Sequence, residues 1–234
     1  MNDLLSQPVL HTALTLSLYM MARWIFKHFK LAIFNPVLLT IGALIAIMYF
    51  TRTSFDQYYQ NTHVISFWLG PSVVALGVPL YLNLKKVKSE VGRIAFAMLM
   101  GSLLGIVSVV LLAWLFGGSK EVLLSLAPKS VTTPIAMEVS KEIGGIPPLT
   151  AAMVISVGIF GAMFGWNFMK LLRIKDSKAI GLAIGAASHG VGTAWIAPQG
   201  KEYSAFGGLG MALNGVITAL VTPWIIPYLM EWLF

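Results

Sequence analysis

Residues 126–137 read LAPKSVTTPIAM: a lysine, a serine, two threonines and two prolines inside an otherwise apolar run from Val122 to Ile143. Hydrocarbon rejects such a stretch. Irregular backbone persists at membrane depth only where it is buried in protein or lines a wet cavity. How the chain passes through these residues therefore decides the fold.

The surroundings set the solvent. Of 234 residues, 57% are hydrophobic and 11% charged, and the mean hydropathy is +0.81. Long apolar runs such as Ile94 to Phe116 do not alternate with polar residues, which excludes a β-barrel and indicates an α-helical, polytopic membrane protein. The chain has no cysteine, so disulfides and thiolate metal sites are excluded, and its four histidines are scattered without ligand spacing. The net charge of +7 sits in short loops between apolar runs, which marks membrane orientation rather than nucleic-acid binding. The N-terminal run is followed by Arg23, Lys27 and Lys30 with no small-residue cleavage site, so no cleaved signal peptide is expected.

About eight membrane segments are predicted: Pro8–Phe26, Leu31–Phe50, Val64–Leu84, Ile94–Phe116, Val122–Ile143, Leu149–Leu171, Ala179–Ala197 and Phe206–Leu233. They form a single integral membrane domain over residues 1–234, with candidate repeat halves 1–116 and 117–234. Small-residue pairs in the fourth, sixth and seventh segments predict close helix packing.

Loop charge then tests the path. Arg23, Lys27 and Lys30 place the first loop in the cytoplasm, and Lys85, Lys86, Lys88 and Arg93 place the third there. The cluster Lys170, Arg173, Lys175 and Lys178 would fall outside if the fifth and sixth segments each crossed once. The conflict disappears if the fifth segment is a re-entrant hairpin that enters and leaves on one side. Its halves agree: residues 121–126 make a helix of about 9 Å and residues 134–143 one of about 15 Å, and neither spans. Thr133 reads as the N-cap of the second half and Pro134 as its first helical residue.

The hairpin tip is then a site for an anion. A helix starting at Pro134 directs free N–H groups and its positive end at the tip, and Lys129 adds a charge that lipid alone would not tolerate. The candidate binding residues are Lys129, Ser130, Thr132, Thr133 and Pro134; the competing reading is that Lys129 snorkels from a shallow position. Residues 69–81, LGPSVVALGVPLY, form a comparable Pro-broken stretch and add Pro71 and Ser72, since paired interrupted segments point to a transporter site. The seventh segment carries a third break, AASHGVGTAWIAP. It adds Ser188, His189, Gly190 and Thr193, with His189 either facing a ligand or satisfied by a neighbouring carbonyl. His189 and Glu138 are the candidate coupling groups. Asn214 is expected to bond a neighbouring helix rather than a substrate. No nucleophile–base pair, metal cluster or cofactor motif appears, so no enzyme chemistry, no cofactor and no metal are expected.

The stretch LAPKSVTTPIAMEVSKEIGG (126–145) with ASHGVGTA (187–194) resembles the LrgB/CidB family of bacterial inner-membrane proteins. FNPVLLT (34–40) and LGPSVVALGVPLYLNL (69–84) extend the likeness over nearly the whole chain. One departure is visible: an alanine–arginine pair is expected after GTA, and this chain has Trp195 and Ile196. The resemblance implies a multi-pass protein of the bacterial inner membrane, holin- or antiholin-like, affecting murein hydrolase export and lysis beside a small LrgA/CidA-type partner. It also implies, through relatives linked to pyruvate and to plastid glycolate and glycerate exchange, movement of small monocarboxylates. Together with the tip chemistry, the expectation is an elevator-like secondary transporter of such anions, with candidate inverted repeats and a homodimeric assembly. The alternative is a holin-like regulator of lysis.

Overall fold

The computed structural model describes residues 8–29, 34–68, 71, 81 and 90–234, and every described element is helical. Contacts divide the chain into two compact units, Met1–Ser72 and Val73–Phe234.

The first unit holds α1 (Pro8–Phe29), α2 (Pro36–Thr51), α3 (Phe55–Asn61) and α4 (His63–Phe67). Asn35 caps α2 through its side chain, which accepts from the Val37 and Leu38 N–H groups, and Pro36 follows at the first turn. The chain bends by 117° between α2 and α3. The bend returns α3 to α1, where Tyr58 OH lies 2.7 Å from Thr15 Oγ1 and Asn61 Nδ2 lies 3.3 Å from His11 Nδ1. The third predicted segment is described only at its start, in α4; Pro71 is helical and exposed, while Ser72 lies outside the described residues.

The second unit holds α5 (Val91–Leu115), α6 (Lys120–Leu126), α7 (Thr133–Glu142), α8 (Pro147–Leu171), α9 (Ser177–Ile196), a 3-10 turn at Ala197–Gln199, and α10 (Lys201–Leu233). Among the described residues of the whole chain, five helices are long and apolar enough to cross a membrane, or six if the bent α2–α3 pair counts as one span. The full set of about eight predicted segments does not appear as spans among the described residues: the fifth is the hairpin expected of it, and the seventh departs from a single crossing.

The fifth predicted segment is a hairpin. Neither α6, of 7 residues, nor α7, of 10, can cross about 30 Å of hydrocarbon. The chain turns inward at Lys120 and is back at Ile146, the N-cap of α8. There the Ile146 N–H donates to Ser125 Oγ at 2.8 Å, and Thr150 Oγ1 donates to Ser125 O at 2.9 Å while lying 2.7 Å from Ser140 Oγ. Ser125, Ser140 and Thr150 are fully buried, so these bonds are the clasp at the hairpin base. Gly144, at φ +85°, turns the chain out of α7, and a Cβ on Gly145 would sit 2.5 Å from Ser140 Oγ and 2.9 Å from the Ser125 nitrogen. The α7 N-cap is Thr132, one residue before the expected Thr133, with Thr133 and Pro134 forming the first helical positions.

The seventh predicted segment also doubles back. Its length passes as a span, but His189 breaks it with φ 41° and ψ −136°. A continuous helix would put Gly192 about 12 Å from Ile184. Instead, a Cβ on Gly192 would lie 3.0 Å from Ile184 Cγ2 and 2.5 Å from Ser188 Cβ. Ile196 shares a buried cluster with Ile180 and Ile184. Residues 177–188 are thus an outbound arm and residues 190–199 a return arm. Ser177 Oγ meets Glu202 Oε2, so α10 starts at the end where α9 started.

The three remaining long helices, α5, α8 and α10, frame the hairpins. Ile106, Val110, Leu123, Ile226 and Met230 pack the first hairpin's base against α5 and α10. Gly185 lets the second hairpin lie on α10, since a Cβ there would be 2.0 Å from Gly207 O.

Candidate functional site

The two hairpins enter the bundle from opposite ends, and their tips meet near the middle of the long helices. One side chain marks the meeting point. Asn214 of α10 is buried, and its Nδ2 donates to Ser130 O of the first tip at 3.1 Å and to Ala186 O of the second hairpin at 2.8 Å. Its Oδ1 accepts from Ser102 of α5, whose hydroxyl also lies 2.8 Å from Met98 O. Asn214 therefore bonds neighbouring elements, as expected from the sequence, and both its N–H groups are used.

The first tip runs from Ala127 to Thr132. Lys129 is half-buried, and its ammonium donates to Ser130 Oγ at 3.0 Å. Among the described residues no carboxylate lies within ion-pair reach of it; the ion pair seen is Lys178–Glu90 at 3.1 Å. Thr132 makes no side-chain cap, and its Oγ1 is buried with no hydrogen-bond partner among the described residues. A buried hydroxyl without a partner carries a desolvation cost that a bound ligand removes. The first N–H groups of α7 have no acceptor inside their own helix, and Pro134 has none to offer. The tip thus collects an ammonium with no carboxylate partner and a hydroxyl with no hydrogen-bond partner among the described residues, beside a helix N-terminus.

The second tip is Ser188, His189 and Gly190. His189 is buried, and its Nε2 lies 2.9 Å from Val154 O of α8, so Nε2 carries the proton of the neutral ring and Nδ1 is left as an acceptor. Val154 packs against Val131 and Ala136 of the first hairpin, which joins the two tips on the α8 side. Thr193 Oγ1 donates back to His189 O at 2.8 Å. The backbone conformation of His189 is one that L residues rarely adopt and costs about 1–3 kcal/mol, strain that clusters at ligand sites. Two glycines of α8 make room. A Cβ on Gly158 would sit 2.7 Å from His189 Cε1, and one on Gly161 would sit 1.6 Å from Ser188 Oγ.

A cavity of ≈ 20 Å³ opens beside the junction, lined by Ser102, Ala127, Ser130, Asn214 and Thr218 among others. It has room and polar partners for one water.

The structure thus brings together Lys129, Ser130, Thr132, Thr133 and Pro134 on one tip and Ser188, His189, Gly190 and Thr193 on or next to the other. Glu138 is exposed on α7, more than a turn beyond the tip. Pro71 belongs to the other compact unit. Sequence reasoning missed Ser102, Ser125, Ser140, Thr150 and Gly158. The hydroxyls among them sit singly in apolar helices, where i−4 backbone bonding is their ordinary use, so no local signal separates them.

The LrgB-like family model matches residues 15–228. An uncharacterized protein of Haemophilus influenzae is 36% identical over 216 residues, covering 92% of this chain and 94% of its own length. Uncharacterized protein YxaC of Bacillus subtilis is 33% identical over 221 residues, 94% of each chain. Holin-like protein CidB of Staphylococcus aureus is 34% identical over 223 residues, 95% of this chain and 97% of its own. No solved structure matches.

Proposed function

The chain belongs to the LrgB-like family, and from that premise we propose that it is a secondary transporter of small monocarboxylates, of the pyruvate, glycolate or glycerate class. The observation that carries this reading is the meeting of two hairpin tips from opposite ends, the first of which bears an ammonium with no carboxylate partner among the described residues. Irregular backbone and half-helix ends at that depth are the architecture of ion and substrate sites in transporters. Lys129 supplies the charge for one carboxylate, while the Thr132 hydroxyl and the α7 N–H groups supply directional donors. A single cation suits a monoanion; a second carboxylate would lack a partner. His189 Nδ1 offers an acceptor for a substrate hydroxyl or a carried proton. In this reading Glu138 is a lesser coupling candidate, no cofactor or enzyme chemistry takes part, and the basic end of the bundle faces the cytoplasm of a bacterial inner membrane. A homodimer, and a small LrgA/CidA-type partner in the cell, complete the proposal.

The staphylococcal relatives, holin-like CidB proteins, give the competing reading, a holin-like role. One experiment separates the two. Purified protein in proteoliposomes is given labelled pyruvate, glycolate or glycerate, and entrapped dye is followed in parallel. Saturable uptake with dye retained supports transport. Dye release without saturable uptake overturns it in favour of a pore.

A further inference from the structure

The two tips come from hairpins that enter at opposite ends, yet Asn214 bonds to both. The carbonyls it serves are ones their own segments leave short of donors. Ser130 O lies in the non-helical tip, and Ala186 O is among the last carbonyls before the break at His189. A primary amide is suited to this place, since one nitrogen carries two N–H groups and can face two carbonyls at once. The orientation is fixed from behind: the Ser102 hydroxyl meets Oδ1 and holds the nitrogen toward the tips. A carboxylate there would set acceptor against acceptor.

We propose that Asn214, oriented by Ser102, is a positioning residue that holds the two hairpin tips in one fixed relation, so that Lys129 and Thr132 on one and His189 on the other form a single site. The inference deepens the transport reading, but its first test is independent of it. Hydrogen–deuterium exchange on the full-length purified protein follows peptides covering residues 126–133 and 185–193. Asn214→Ala and Asn214→Asp are expected to speed exchange about tenfold or more in both peptides together. Thr222→Ala, which removes a buried hydroxyl of the same helix that has no partner among the described residues, is expected to leave both unchanged. Faster exchange in one tip alone, or only within α10, overturns the proposal, because a side chain serving local packing would do that.

If the Asn214 variants fail to insert, Ser102→Ala decides. It keeps both amide donors but frees their orientation, and about a threefold rise in both peptides is expected; no rise in either overturns the proposal. In proteoliposomes, Asn214→Ala is expected to raise the KM for labelled pyruvate about tenfold with Vmax little changed. An unchanged KM beside loosened tips overturns the positioning role. If the parent itself takes up no pyruvate, the transport reading fails, and the exchange pattern still decides whether Asn214 links the tips.

Discussion

Lys129, Thr132 and His189 are the residues on which the proposed site stands, and each predicts a different signature. A hydrogen bond to a charged group is worth roughly 1.5–3 kcal/mol, so Lys129→Gln should raise the pyruvate dissociation constant about ten- to a hundredfold. Lys129→Arg should restore part of the loss, because its planar fork keeps the charge but places its donors differently. Titration of the purified variants checks this, and parental affinity in Lys129→Gln would return the lysine to a snorkelling role. Thr132→Val removes a hydroxyl that has no partner among the described residues. The melting temperature without ligand should hold or rise, while the extra stability conferred by saturating pyruvate should shrink. Equal loss in both states would mean that the hydroxyl is satisfied within the fold. His189→Ala should abolish uptake with membrane insertion intact. Gly158→Ala should do the same from the neighbouring helix, since its Cβ would sit 2.7 Å from His189 Cε1. Normal uptake in both variants would make the histidine a core residue.

At the scale of elements the central feature is a pair of hairpins of opposite sense. The first is closed at its base by Ser125, Ser140 and Thr150, and the second by the meeting of Ser177 with Glu202. Cysteines at Ser119 and Glu142, both exposed, should therefore react with an impermeant thiol reagent from one face of the membrane. Cysteines at Lys175 and Lys201, also exposed, should react from the other face. Labelling of either pair from opposite faces would turn that hairpin into a single crossing. The packing of the second hairpin on α10 gives a stability test. Gly185→Ala forces a Cβ to within 2.0 Å of Gly207 O and should destabilise the protein by about 1–3 kcal/mol or more in reversible unfolding.

For the whole molecule, the ends of the second unit carry opposite charge balance. Arg93, Lys170, Arg173, Lys175, Lys178 and Lys201 gather at the end where Lys178 meets Glu90. Glu121, Glu138, Glu142 and Glu231 lie toward the other, with Lys120 and Lys141. Three crossings by α5, α8 and α10, with both hairpins turning back, put Phe234 at the end opposite the basic one. A C-terminal alkaline phosphatase fusion should then be active and a fluorescent-protein fusion dark. The reverse result would require the second hairpin to cross.

The sequence alone determined the solvent, because no soluble core needs such long unbroken apolar runs. It also determined the first hairpin: two halves too short to span and a basic cluster on the wrong side leave no other path. The placing of Lys129 and its neighbours at a hairpin tip was legible for the same reason, since a charge and a helix start inside lipid need a buried or wet setting. In the second hairpin the break was legible at ASHGVGTA, but the reversal of the chain was not. Residues 177–199 are long and apolar enough to cross, and neutral flanking residues at Gln199 and Gly200 supply no charge conflict. Only the backbone at His189, held by its contact with Val154 and by the space at Gly158 and Gly161, folds them back. Asn214 shows the same limit: its type predicts hydrogen bonds to a neighbour, but only packing decides that the neighbours are both tips. Local composition sets which segments leave water, whereas partners distant in sequence decide where a segment turns and what its polar groups meet.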